Sequence, residues 1–184
     1  MTAVGDYTLA DLFTLPDLPC RADLIDGHLY FPRPQNRFHS ITGDLLLNGL
    51  RRTLPPVFRV RRNMTVVLDR RNGLEPDVSL IHAEAITGWD DMGYRAEDVL
   101  LAAEVVAPDT EARDRGTKPH KYAAAGIPHF WLVEMDSRTQ RPVVAVHRRD
   151  EDTGAYTLTG IHHDRLRISV PYDIDIDLTA IDNR

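Results

Sequence analysis

Val99-Leu100-Leu101-Ala102-Ala103-Glu104-Val105-Val106 is the stretch that decides how this chain is read. It is apolar except for Glu104, the pattern of a strand buried on both faces. An ionised carboxylate in such a strand is costly unless something pairs with it. No basic residue adjoins Glu104 in sequence. Its partner therefore comes from elsewhere in the fold, as a buried arginine or backbone amide, or as a bound cation. Strand parity puts Ala102, Glu104 and Val106 on one face and Leu101, Ala103 and Val105 on the other. Ala102 is small and leaves space beside the carboxylate.

Upstream, Glu75-Pro76-Asp77-Val78-Ser79-Leu80-Ile81 places a second carboxylate at the mouth of another short apolar run. Downstream, Lys118 opens a helical segment. Taken singly, a Pro-Asp pair marks a turn or strand start, and Lys118 reads as a solvated lysine that Asp114 could pair at i,i+4. Taken together, two carboxylates on neighbouring strands and a lysine form a minimal kit for metal-assisted phosphodiester hydrolysis. Hard divalent cations take such oxygen ligands, and Mg²⁺ commonly uses one or two carboxylates plus waters.

Outward from that core, Thr8 caps a short helix through Phe13, stopped by Leu15-Pro16-Asp17-Leu18-Pro19. Ala22–Ile25, Asp26-Gly27 and His28–Phe31 read as a tight hairpin. His39–Leu54 is an amphipathic helix with Ile41, Leu45, Leu46 and Leu50 on one stripe. Val57–Val60 and Met64–Leu68 alternate as half-buried strands, and Arg70-Arg71-Asn72-Gly73 is a turn. Pro76–Ile81 is a strand, and Ala83–Asp98 a loop or short helix. A helical region follows Pro108-Asp109-Thr110 as far as Ala125, in two pieces because of Pro119, with Gly126 as its cap. His129–Glu134 is a core strand, with Phe130 and Trp131 in the core. Val143–His147 and Tyr156–Thr159 form a terminal hairpin, and Ile168–Val170 a last strand. The fold class expected is α/β (mixed α+β), a central mixed sheet flanked by helices with hairpins at both ends. Residues 1–184 are expected to form one domain.

Composition limits the function classes. Apolar content of 42% and charge of 27% are ordinary for a soluble chain. The single cysteine, Cys20, excludes an intramolecular disulfide and a cysteine-based zinc site and suits a reducing cytoplasm. The N-terminus lacks the pattern of a signal peptide, and no apolar run approaches a membrane span. A net charge of −6 argues against a general nucleic-acid coat protein. That charge is unevenly placed. Arg51 to Arg71 holds seven arginines and one acid, Asp69, whereas Asp173 to Asp182 holds four aspartates and no base. Arg51, Arg52, Arg61 and Arg62 are candidates for a phosphate-facing surface, or else a solvated sheet face. His162-His163 is the only adjacent histidine pair and lacks a spaced third zinc ligand.

Pro76-Asp77, Glu104 and a following lysine resemble the PD-(D/E)XK nuclease pattern. More narrowly, the chain resembles the Uma-type restriction endonuclease family. The resemblance is carried by residues 7–12, 23–29 and 76–78 and by the long block 103–134, with Asp114-Arg115-Gly116-Thr117-Lys118 and Tyr122-Ala123-Ala124-Ala125-Gly126-Ile127-Pro128 inside it. It implies a restriction-endonuclease-like core and a Mg²⁺- or Mn²⁺-dependent endonuclease acting on nucleic acid, DNA in the first place. Asp77 and Glu104 would ligate the metal. Lys118 would act beside the attacking water or scissile phosphate, from the helix, since Val106 occupies the usual strand-lysine position. Asp23 stands where the family usually has glutamate, and His39 falls near a family histidine; both are auxiliary candidates. Ala107 replaces a serine that often follows the glutamate strand. A homodimer would suit double-strand cutting, because two sites must address two strands. The alternative is an inactive nucleic-acid-binding or assembly module that keeps the fold; a hydrolase acting on RNA is a third reading.

Overall fold

The computed structural model describes residues 2–3, 5–16, 18 and 21–183. Cys20 and the Asp17 and Pro19 of the expected helix stop lie outside the described residues. In chain order the elements are β1 (Thr2–Ala3), α1 (Leu9–Thr14), β2 (Asp23–Ile25), β3 (His28–Tyr30), α2 (Arg37–Arg52), β4 (Phe58–Arg62), β5 (Thr65–Asp69), β6 (Asn72–Leu74) and β7 (Val78–His82). They continue with β8 (Gly93–Arg95), β9 (Val99–Val105), α3 (Lys118–Ala124), β10 (His129–Met135), β11 (Pro142–Arg149), β12 (Tyr156–His162), β13 (Arg165–Ile168) and β14 (Ile174–Asp177). Among the described residues no helix is long and apolar enough to cross a membrane.

Local chemistry accounts for the boundaries. The Thr8 hydroxyl accepts from Asp11 N and the Asp11 carboxylate accepts from Thr8 N, a reciprocal capping box at the start of α1. Asn36 accepts from His39 N and caps α2. Asp26 and Gly27 have φ of 51° and 81°, as a two-residue hairpin turn demands. Pro119 has no N–H to donate, and the backbone ahead of it widens into a π turn over Arg113–Thr117, with Lys118 N–H bonding to Arg113 O. Gly126, at φ 87°, ends α3: Ile127 N bonds to Tyr122 O and Gly126 N to Ala123 O, the paired bonds of a Schellman cap.

Two six-stranded mixed sheets result. One runs β1-β3-β2-β6-β5-β8, and the central one runs β12-β11-β10-β9-β7-β4. In the central sheet only β9 and β10 are parallel, joined by the crossover through α3. Leu101, Ala103 and Val105 pack on the face that holds Leu45, Leu46 and Leu50 of α2. Ala102 packs on the opposite face with Tyr122 and Phe130. This is the parity expected of β9, with a helix on each side.

The structure differs from the sequence reading in four places. Thr2–Ala3 is a strand paired with β3, where no element was expected. Gly93–Arg95, inside the expected loop, is a strand added in parallel to β5; three residues are too few for a periodic signal. Asn72 and Gly73, expected in a turn, belong to β6, because the chain reverses one step earlier at Arg70-Arg71. The last strand is Arg165–Ile168, and it pairs with Ile174–Asp177, which the sequence reading left out. The acidic tail is used in folding: Asp175 pairs with Arg165 and Arg167, and Asp182 with Arg141.

Gly49 shows how closely α2 is seated on β14. A Cβ there would lie 2.6 Å from Ile176 Cγ1 and 2.7 Å from its Cδ1. Gly49→Ala is therefore expected to cost about 1–3 kcal/mol despite its better helix propensity. Combined with Ile176→Ala, the loss should be clearly less than the sum of the two single losses. Urea denaturation of the four proteins checks this, and strict additivity would show that the two residues do not compete for space.

Candidate functional site

The two sheets meet at Glu75-Pro76-Asp77, the link from β6 to β7. Asp23 of β2 accepts from Glu75 N at 2.8 Å, which ties the smaller sheet to this link. Val78 pairs with Ala103 in antiparallel register, so Asp77 lies beside Glu104. The Asp77 carboxylate accepts from Val105 N at 2.8 Å. α3 starts at Lys118, and α2 brings His39 from its first turn. All five of these side chains are buried.

Lys118 is at the centre of one half of the cluster. Its Nζ lies 3.1 Å from Glu104, 3.2 Å from Asp23 and 3.4 Å from Asp114. The surface-lysine reading is overturned, since Lys118 is only 4% exposed. The other oxygen of Glu104 accepts from Tyr122 OH at 2.7 Å. Asp114 also accepts from the Thr110 hydroxyl. In the second half, Asp77 faces His39 Nε2 at 3.1 Å, and Arg21 and Gln35 each at 3.3 Å. Arg21 spans from Asp77 to Glu75, 3.4 Å away.

Burial pushes Glu104 well above the usual carboxylate range; Lys118 opposes this, while Asp114, Asp77 and Asp23 add to it. Burial likewise raises Asp114 and pushes Glu75 up to about 7. For Asp77 burial acts upward too, but His39, the Lys118 charge and the Val105 amide outweigh it, and the net shift is downward. Lys118 is desolvated, yet its carboxylate neighbours raise it well above its ordinary value. One ammonium shared by three buried carboxylates stays charged, while the carboxylates compete for it.

These groups line one cleft with Ala22, Pro32, Arg33, Ala107, Asp109 and Thr110. It offers about 30 Å³ to the centres of water-sized guests, more than the roughly 10–15 Å³ that one water needs. That is room for about two water-sized guests. The lining holds six carboxylates against Arg21, Arg33 and Lys118, with His39 as a further nitrogen. Among the described residues no three His, Cys, Asp or Glu side chains converge as a ready-made cage. Mg²⁺ is ordinarily held by one or two carboxylates and water; in this structure both oxygens of Asp77 and both of Glu104 accept from protein donors.

Asp23, His39, Asp77, Glu104 and Lys118, named from the sequence, are thus brought together. The four arginines are not. Arg51 and Arg52 are exposed at the far end of α2, about 20 Å along its axis from His39. Arg61 bonds to Tyr94 OH at 3.1 Å and lies over its ring. Arg62 pairs with Asp44. Arg21, Gln35, Glu75, Asp114 and Tyr122 were not singled out as site residues. Asp114 and Tyr122 lie four residues either side of Lys118, on its helical face, and could have been found by that spacing. Arg21 and Gln35 lie in irregular chain, which carries no periodic signal.

The chain matches, over residues 9–180, the model of the family Uma2, described as "Putative restriction endonuclease". Among solved structures it is similar to a putative nuclease belonging to DUF820 from Anabaena variabilis. That likeness has a TM-score of 0.65 at 16% identity and covers 89% of each chain; it establishes the fold. None of the curated proteins matches.

The geometry makes the Lys118 charge a structural necessity. Lys118→Met leaves buried carboxylates without their shared cation and should cost about 3–5 kcal/mol. Tyr122→Phe removes one buried hydrogen bond and should cost about 1–3 kcal/mol. Arg51→Ala, on the open surface, should stay within about 0.5 kcal/mol. Chemical denaturation ranks the three, and a Lys118→Met protein as stable as the parent would refute the ordering.

Proposed function

The chain belongs to the Uma2 putative restriction endonuclease family, and on that premise we propose that it is a divalent-cation-dependent nuclease. Residues 1–184 act as one restriction-endonuclease-like domain that hydrolyses phosphodiester bonds, with DNA as the substrate, in a reducing cytoplasm. DNA is taken from the family's description as restriction endonucleases.

The observation that carries the reading is the charge imbalance of the cleft, where four buried carboxylates, Asp23, Asp77, Glu104 and Asp114, have Lys118 as the one buried lysine or arginine among the lining residues. Buried ion clusters stabilise a fold no better than well-packed apolar groups do. An excess of buried acid is therefore poor structural material, and it suits a site that receives a cation. Asp77 and Glu104, neighbours across β7 and β9, are the ligands assigned to Mg²⁺ or Mn²⁺. When bound, such a cation polarises a phosphate oxygen and lowers the pKa of a water.

The chain's own groups do the rest. Lys118, 3.1 Å from Glu104, offsets negative charge developing on the phosphate. Asp23 and Asp114 hold that ammonium in place. Tyr122 fixes one Glu104 oxygen, and His39, Gln35, Arg21 and the Val105 amide orient Asp77. The buried side chains keep bulk water from these charges, which strengthens each interaction.

Calorimetric titration of Mn²⁺ tests the reading before any substrate is known. The parent protein is expected to bind and to melt higher with the ion. Glu104→Gln should keep a cooperative melt while its Mn²⁺ affinity falls about tenfold or more. Unchanged affinity in the variant, or no binding by the parent, would sink the proposal.

A further inference from the structure

The central sheet ends at β12 on one side and at β4 on the other. β4 carries Arg59, Arg61 and Arg62, the sort of charge that guards an edge. β12, Tyr156-Thr157-Leu158-Thr159-Gly160-Ile161-His162, contains no Lys, Arg, Asp, Glu or Pro. Its Leu158 and Ile161 are 48% and 54% exposed. A long apolar edge of this kind is a template for another strand.

The register sharpens the point. Val146 pairs with Gly160 and His147 with Leu158, so Thr159 is the extra residue of a bulge. Without the bulge Leu158 and Ile161 would face opposite sides; with it they share one. One row runs Ala102–Phe130–His147–Leu158 and the next Glu104–Leu132–Ala145–Ile161. Tyr122 of α3 covers the β9 and β10 ends of these rows, whereas the β12 end is open.

We propose that β12 pairs antiparallel with β12 of a second copy of this chain, making a two-fold dimer with one continuous twelve-stranded sheet. Identical strands paired antiparallel are self-complementary about a two-fold axis. The charges flanking β12 choose the same arrangement. The acidic turn Asp150-Glu151-Asp152 precedes β12, whereas the charges of residues 162–167, which follow it, are paired within the chain, Arg165 and Arg167 with Asp175. Asp164 is already paired with Arg141. Antiparallel pairing sets the acidic turn of one copy at the internally paired end of the other copy's β12, away from the second acidic turn. Parallel pairing would set acid against acid, a penalty for a chain of net charge −6. β12 itself brings no charge to the seam.

Size-exclusion chromatography with light scattering on the full chain, across the micromolar range, is the test. The parent should run at twice the chain mass, and amides 157–161 should exchange more slowly as concentration rises. Leu158→Lys/Ile161→Lys places four like charges at the seam and should run at one chain mass, with a cooperative melt that no longer shifts with protein concentration and with unchanged Mn²⁺ binding. Arg59→Ala, on the opposite edge, should keep the doubled mass. A parent protein of single-chain mass throughout, a lysine variant that keeps the doubled mass, or β12 amides whose exchange does not change with concentration would overturn the dimer. Mn²⁺ binding is read separately, so failure of the seam and failure of the nuclease reading are distinguishable.

Discussion

The ammonium of Lys118 and the carboxylates of Asp23, Glu104 and Asp114 form the contact on which the rest of the structure depends. Each carboxylate comes from a different part of the chain: a strand of the smaller sheet, the middle of the central sheet, and the turn before α3. Leaving any of these ions unpaired costs several kcal/mol, against a total stability of about 5–15 kcal/mol for a typical domain. The two sheets and α3 can therefore approach only in an arrangement that delivers Lys118 to that point. A single cation for three acids is still incomplete compensation, and the upward shifts of Glu104 and Asp114 express this.

The same place holds one of the links between the two sheets. Glu75-Pro76-Asp77 leaves one sheet and enters the other, and each of its acids meets a different demand. Asp77 is tied to the Val105 amide and to His39, which holds it ionised. Glu75 has Arg21 as its ion-pair partner and is pushed up to about 7 by burial. Acids that differ in this way within three residues provide both fixed negative charge and a group near the point of gaining or losing a proton. Their surroundings, more than their residue type, set the difference.

Charge that looks polarised along the chain is largely reconciled within the fold. Asp175 and Asp182 of the tail meet Arg141, Arg165 and Arg167, and in the basic middle Arg61 and Arg62 are held by Tyr94 and Asp44. Arg51 and Arg52 lie open at the end of α2. The outer strand β12 carries no charged residue.

Local physics was legible in the sequence. The Asp26-Gly27 turn, the Thr8 cap, the Gly126 stop, the stripe of α2 and the parity of β9 each follow from a few adjacent residues and their backbone preferences. Glu104 was also legible, because a carboxylate in an apolar run has to find a partner. Which partner it finds was not. Lys118 is buried and Tyr122 is bonded to Glu104 only because β9, the π turn and α3 pack together. Arg21 reaches Asp77 across 56 residues of sequence, and β8 exists only because β5 offers it an edge. Sequence determines what each short segment prefers and which groups cannot be left alone; long-range packing decides which groups meet, because desolvation and pairing act on distance in space and not on separation along the chain.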